Sequence, residues 1–381
     1  MDVIVIGAGI AGAVAARCLA EEQGKQVLVL EKKEHVGGNC YDEKDAYGIL
    51  IHKYGPHIFH TNDQQVYDWL SRFTEWYAFG HEVVARVGDR LLPVPFNLNT
   101  LKQVYGEEKG EELTEKLVNA YGMGSRVPIL KLRQSQDPEI QGIADFVYEN
   151  IFLRYTMKQW GQKPEEIDPG VTGRVPVVIS YDNRYFGDPY QGMPLTGYTP
   201  MFQKILDHPN ITVKTGTEAS KLLEIRPGET QVLLEGRPFF GAVIYTGPVD
   251  ELFDCCYGRL PYRSLRFDFE HYDQPDYQGH SVVNYTVSEE FTRITEFKYL
   301  TGQQAEDTTI VKEYPFAYTG AEGEIPYYAI QNPENQALYE RYAALAEGIS
   351  NFHLLGRLAE YKYYNMDAIA ARALKLARGL T

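Results

Sequence analysis

The stretch "MDVIVIGAGIAGAVAARCLAEEQGKQVLVLEKKEHVGGN", residues 1–39, decides the fold. Residues 2–6 (DVIVI) and 26–30 (QVLVL) are short apolar runs of the kind that form buried strands, and 10–23 carries small residues on a helical period. Between the first strand and the helix lies Gly7-Ala8-Gly9-Ile10-Ala11-Gly12. The first glycine permits the tight turn, the second lets a pyrophosphate approach the backbone, and the third allows close helix–strand packing. Helix-terminal N–H groups then face the phosphates. Glu31 follows the second strand, where a carboxylate accepts hydrogen bonds from ribose hydroxyls. A lone glycine motif is a weak signal; strand, helix, second strand and acid together predict a bound dinucleotide.

Composition narrows the class. The 381 residues are 44% hydrophobic and 23% charged, as in ordinary globular proteins, and suggest two or three lobes. No apolar run is long enough to span a bilayer, and the apolar start lacks the basic flank of a leader. Cys18, Cys40, Cys255 and Cys256 lack CxxC spacing. That speaks against zinc or a disulfide framework and fits a reducing cytoplasm. The net charge of −15 argues against nucleic-acid or anionic-membrane partners. An anionic substrate must then be held by a few local arginines. Tyrosines (29) outnumber phenylalanines (17), which suits either a polar, ring-shaped ligand or a tyrosine-rich surface.

Further along, 63–73 reads as an amphipathic helix and "HEVVARVGDRLLPVPFNL" as a hairpin with a Gly-Asp turn. From about 98 to 163 helix-period segments dominate. After Pro176 strand signals return in "ITVKTGTEASKLLEI", "TQVLLEG" and "FFGAVIYTG", and 262–330 alternates as an antiparallel sheet would. Helices at 334–350 and 366–380 flank a strand at "FHLLG". The expected fold is α/β: a Rossmann-like dinucleotide domain (1–77, 188–250, 330–381), a helical lobe (98–165) and an antiparallel sheet lobe (78–97, 166–187, 251–329).

Gly37-Gly38-Asn39 resembles the glycine pair that follows the acidic residue in FAD proteins of the glutathione-reductase-like group, where the backbone wraps the pyrophosphate. "AVIYTGPVD" (242–250) resembles the strand and turn returning to the dinucleotide, and "LLGRLAEY" (354–361) the late glycine near the flavin. Further segments are more specific. "HKYGPHIFHTN" (52–62), "YTMKQWG" (155–161), "GRVPV" (173–177), "DNRYFGDPYQGMPLTGYT" (182–199), "YRSLRF" (262–267), "FTRITEFK" (291–298), "PYYAI" (326–330) and "GRLAEYKYYNMD" (356–367) run through the chain in family order. Together they resemble bacterial UDP-galactopyranose mutases. The resemblance implies a homodimeric cytoplasmic flavoenzyme, active with reduced FAD, that interconverts UDP-galactopyranose and UDP-galactofuranose for surface polysaccharide. Flavin N5 would attack the anomeric carbon with no net redox change.

It also implies roles. Arg174, Arg293 and His60 would be catalytic, the arginines on the diphosphate and His60 beside flavin and sugar. The substrate would meet His81, Phe152, Tyr155, Thr156, Trp160, Tyr185, Phe186, Asn284, Tyr328 and Tyr363, with uracil stacked in the aromatic slot. FAD would be held by Gly7, Gly9, Ala11, Gly12, Glu31, Lys32, Gly38, Asn39, His57, Ile58, Glu218, Ala219, Thr246, Gly247, Arg357, Tyr364, Asn365, Met366 and Asp367. No metal is implied. Two positions depart from the family: Asn365 where several relatives have Asp, and His81 where others have Asn. Alternative readings are a mutase of an N-acetylated or deoxy UDP-sugar, an FAD oxidase, and a non-catalytic binding protein on the same fold.

Overall fold

A computed structural model of the chain describes residues 1–161 and 176–380. It divides into two compact units: Met1–Ala78, Asp188–Ser264 and Tyr318–Thr381 form the first, Phe79–Gly187 and Leu265–Ala317 the second.

The first unit is built on a five-stranded sheet in the order 211–214, 27–30, 3–6, 242–245, 352–354. All neighbours are parallel. Short runs such as Val27–Leu30, buried at every position, suit a sheet covered on both faces. The helix Ile10–Gln23 is the first crossover. Its buried Ala11, Gly12, Ala13, Ala15, Ala16 and Ala20 let backbones approach, and Gly24 ends it at φ 67° with its N–H donating to the Leu19 carbonyl. Helices Tyr198–Leu206 and Met366–Gly379 pack against it. The first starts on Gly197, which supplies no side-chain cap. The carboxylate of Asp42 does so from another segment, accepting from the N–H of Tyr198 at 2.5 Å and of Thr199 at 2.8 Å. A three-stranded antiparallel sheet, 59–61, 190–194 and 76–78, completes this unit, with Phe59 stacked on Trp76 at 4.6 Å.

In the second unit the helices Leu98–Tyr105, Glu107–Tyr121, Ile129–Leu132 and Pro138–Val147 surround a core of Leu101, Leu113, Leu117, Ile140, Ile143 and Val147. Asn97 and Thr100 form a capping box, and Asp137 caps the helix that Pro138 begins. A π-helical turn, Tyr148–Phe152, joins this last helix to Leu153–Trp160. The sheet of this unit contains strands 293–296, 308–317, 282–285, 83–87 and 90–94.

Three local readings differ from expectation. Val282–Tyr285 and Val83–Val87 pair in parallel, because the 83–94 hairpin joins the sheet from a distant stretch of chain. The pair Arg126–Val127 with Val177–Val178 lies at the helical lobe, too short to show a period. The strand at "ITVK" stops at Lys214, since Gly216 turns at φ 59° and Ala219–Lys221 forms a 3-10 turn.

His52 is 1% exposed, and its Nδ1 accepts the N–H of His57 at 3.0 Å. Burial holds its pKa at about 3, far below the ordinary 6.5. The unfolded chain therefore takes up a proton that the folded one refuses between those values. The stabilisation is full above pH 6.5 and is lost as pH falls toward 3. His52→Asn keeps an acceptor for His57 but cannot titrate. Its urea stability should fall less than that of the parent between pH 6.5 and 4.5, by up to about 3 kcal/mol. Identical pH slopes would rule out this role.

Candidate active site

The glycine loop is shaped by the protein at three positions and by something else at a fourth. A Cβ on Gly7, at φ 104°, would lie 2.0 Å from the Thr246 hydroxyl, which itself donates to the Ile6 carbonyl at 2.7 Å. A Cβ on Gly12 would fall 1.9 Å from the Gly7 carbonyl oxygen. One on Gly38, at φ 58°, would lie 2.9 Å from the Gly9 Cα. At Gly9, however, the nearest atom to a Cβ is Gly38 Cα at an ordinary 3.6 Å. Protein packing does not require glycine there. Close approach of a pyrophosphate to the backbone does.

Glu31 is 5% exposed, and its carboxylate accepts from the N–H of Ala8 at 2.7 Å and of Lys33 at 2.9 Å. Two backbone donors hold the oxygens with lone pairs remaining for ribose hydroxyls. The Glu31 carbonyl also accepts from Thr217, which brings Glu218 and Ala219 beside it. Gly37 donates to the Ala8 carbonyl at 2.9 Å, closing the second glycine segment onto the first. Lys32 is exposed. Its neighbour Lys33 instead donates to the Asn39 side chain at 3.1 Å and lies 3.5 Å from the Tyr54 ring centroid. Burial lowers the Lys33 pKa to about 8, partly offset by the charge of Glu31. The sequence reading missed this lysine because charge alone does not separate adjacent Lys32 and Lys33.

The late segment returns to the same region of the first unit. Gly356, at φ 110°, lies where a Cβ would touch Ala11. Arg357 donates from Nε to the Tyr364 carbonyl at 2.6 Å, and its guanidinium lies 4.5 Å from the Tyr363 ring centroid. Tyr363 is nearly parallel to Tyr328, centroids 6.2 Å apart. Asn365 is the exposed N-cap of the last helix, with no side-chain capping bond. Met366 meets the Cys40 thiol, and Asp367 accepts from the Thr61 hydroxyl at 2.9 Å. That bond ties the helix start to the strand bearing His60. His60 Nδ1 lies 2.6 Å from a carboxylate oxygen of Asp188, so in the neutral ring Nδ1–H donates and Nε2 keeps the lone pair. His57 bonds through Nδ1 to the Gly55 carbonyl at 2.9 Å, beside partly buried Ile58. Gly247 follows Thr246; a Cβ on it would collide with the Tyr245 hydroxyl at 2.6 Å.

In the second unit, His81 is 4% exposed, with the rings of Tyr185 and Phe186 each 5.8 Å away. Tyr185 donates its N–H to the His81 carbonyl and packs against the helical core that contains Phe152. Thr156 is buried on the helix Leu153–Trp160, where Tyr155 and Trp160 are partly exposed. Lys158 fastens this helix to the sheet, donating to the carbonyls of Tyr285, Glu289 and Phe291. Asn284, Arg293 and Glu313 are successive cross-strand partners. Arg293 Nε donates to Glu313 at 2.6 Å. Neither Glu313 nor Asp188 was expected, since a lone carboxylate gives no sequence signal. Arg174 lies outside the described residues. Among the described residues no helix is long and apolar enough to cross a membrane.

The first unit thus has the build of a Rossmann-type dinucleotide-binding protein. A family model described as UDP-galactopyranose mutase matches residues 150–363, and one for an NAD(P)-binding Rossmann-like domain matches 5–73. A probable UDP-galactopyranose mutase of Klebsiella pneumoniae is 36% identical over 379 residues, 99% of this chain and 94% of that protein. A dTDP-fucopyranose mutase of Escherichia coli is 33% identical over 379 residues, covering 99% and 97%. The crystal structure of a reduced UDP-galactopyranose mutase shares the fold, with TM-score 0.73 at 15% identity over 99% of this chain and 94% of that one. The chain belongs to the UDP-galactopyranose mutase family. It is an enzyme, and its cofactor is FAD.

The cradle of Gly7, Gly9, Gly12 and Gly38 with the buried Glu31 carboxylate fits that cofactor's pyrophosphate and ribose. Glu31→Gln keeps the shape and removes the charge. FAD should bind about 10- to 150-fold more weakly, corresponding to about 1.5–3 kcal/mol for a charged hydrogen bond. Fluorescence titration of the apoprotein measures it, and an unchanged Kd would remove Glu31 from the cofactor site.

Proposed function

We propose that the chain interconverts UDP-galactopyranose and UDP-galactofuranose. The observation that carries this reading is the family match over 150–363, which contains every residue assigned to the substrate except His60 and His81. Reduced FAD supplies a nucleophile for the anomeric carbon of the sugar. The chain's own groups orient the substrate and manage charge. Arg174 and Arg293 hold the diphosphate and stabilise it as it leaves and returns. Tyr155, Trp160, Tyr185 and Phe186 stack against uracil, and Phe152 backs that slot from the core. Tyr328 and Tyr363 offer hydroxyls to the diphosphate, and Asn284 a carboxamide to the sugar. In neutral His60 the Asp188 bond presents Nε2 as an acceptor for a sugar hydroxyl.

The remaining cofactor roles fall to Gly7, Gly9, Ala11, Gly12, Glu31, Lys32, Gly38, Asn39, His57, Ile58, Glu218, Ala219, Thr246, Gly247, Arg357 and Tyr364 to Asp367. The enzyme would act in the cytoplasm as a homodimer and supply a surface polysaccharide.

Incubating dithionite-reduced protein with UDP-galactopyranose, and separating products by chromatography, tests the activity. Furanose should form over many turnovers per reduction, and the oxidised protein should be inactive. Including dTDP-fucopyranose and N-acetylated UDP-sugars defines the preferred sugar, and oxygen consumption would reveal an oxidase instead. Arg293→Ala and Arg174→Ala should each lower kcat/KM by about 30- to 5000-fold, in line with about 2–5 kcal/mol for truncating one partner of a buried charge pair. Near-normal rates in either variant would take that arginine out of the site.

A further inference from the structure

We infer that Glu313 is a positioning residue for Arg293, fixing the guanidinium in the orientation that the departing diphosphate requires. The inference rests on the reading of Arg293 as a diphosphate ligand. Strand register does the placing. Asn284 pairs with Arg293 and Arg293 with Glu313, so the three side chains share one face of the sheet in a row.

The burial along that row is uneven. Glu313 is 0% exposed, whereas the Arg293 side chain is 26% exposed. The carboxylate is therefore the fixed end and the guanidinium the reachable one. Its backbone is fixed as well, since the Glu313 carbonyl accepts from the N–H of Thr292 at 2.9 Å and from its hydroxyl at 3.3 Å. Glu313 Oε1 takes Arg293 Nε at 2.6 Å, a short charge-assisted bond. Contact at Nε fixes the plane of the guanidinium, and with it the direction of the end-on edge, Nη1 and Nη2, with which an arginine clamps a phosphate bidentately.

The far side of the row carries an acceptor. Asn284 is 8% exposed, and among the described residues its Oδ1 is buried without a hydrogen-bond partner, as is Glu313 Oε2. Buried acceptors on both sides of a cation limit the orientations it can take at low cost. The Glu313 carboxylate also offsets part of its charge. A guanidinium held in this way binds a resting diphosphate less strongly than an unpaired one. It is already in place when charge develops on the leaving group.

This division of labour predicts a split between binding and turnover. Glu313→Gln retains an acceptor of the same shape but weakens the bond to Nε, and Glu313→Ala removes it. In both, the Kd for UDP should stay within threefold of the parent or tighten, because the freed cation can follow the ligand. kcat should fall about fivefold or more in Glu313→Gln and about 30-fold or more in Glu313→Ala, with FAD content and the thermal midpoint retained. A kcat within threefold of the parent in Glu313→Gln and Glu313→Ala would overturn the inference. So would parallel losses of UDP affinity, FAD content and kcat, which mark a merely structural carboxylate. If Glu313→Ala does not fold, Glu313→Gln decides by the same criteria. An active Arg293→Ala would instead overturn the underlying assignment of Arg293, so the two failures are distinguishable.

Discussion

The Glu31 carboxylate joins what the sequence keeps apart. It is buried, yet it meets two backbone N–H groups, from Ala8 in the glycine loop and from Lys33 beyond the second strand. A buried carboxylate without such donors would be strongly disfavoured. With them, each charged bond contributes about 1.5–3 kcal/mol. The N–H of Gly37 then reaches the Ala8 carbonyl, and Thr217 reaches the Glu31 carbonyl. Three segments of chain converge on one residue, and the shape of the glycine cradle follows from that convergence.

The second unit applies similar logic on a sheet. Glu313 is buried by its strand and aligned with Arg293 by register, so a flexible side chain receives its orientation from backbone pairing. Lys158 does comparable work between helix and sheet, its ammonium donating to the carbonyls of Tyr285 at a strand end and of Glu289 and Phe291 in the loop that follows. Burial lowers its pKa, partly countered by Glu289.

What the sequence made legible follows from the range of each interaction. The parallel core was legible because Val3–Ile6 and Val27–Leu30 are short continuous apolar runs around Ile10–Gln23, a helix of small residues opened by the glycine motif, all within one local stretch of chain. The hairpin at 83–94 announced itself through its Gly-Asp turn. The parallel seam between 83–87 and 282–285 did not, because pairing across such a separation leaves no local trace. Among the candidate site residues, those in contiguous motifs were readable. Their partners Asp188 and Glu313 were not, since each is recognised by what it touches in space. Lys33 was missed for a different reason: two adjacent lysines are chemically alike, and burial alone distinguishes them.

The π-helical turn at Tyr148–Phe152 sets the phase of the helix that follows it. Such a turn closes i→i+5 bonds and so accommodates one residue more than the α-helix around it, most often at functional sites. One residue rotates everything downstream by about 100°. Upstream, Ile140, Ile143, Ala144 and Val147 face the core, and downstream Thr156 and Gln159 take up the buried side. Deleting a single residue within Tyr148–Phe152 would restore a regular helix and turn Tyr155, Thr156 and Trp160 to new azimuths together. Which side chains this helix presents is thus set by its phase, and a change of phase alters the whole set with every one of them left unmutated.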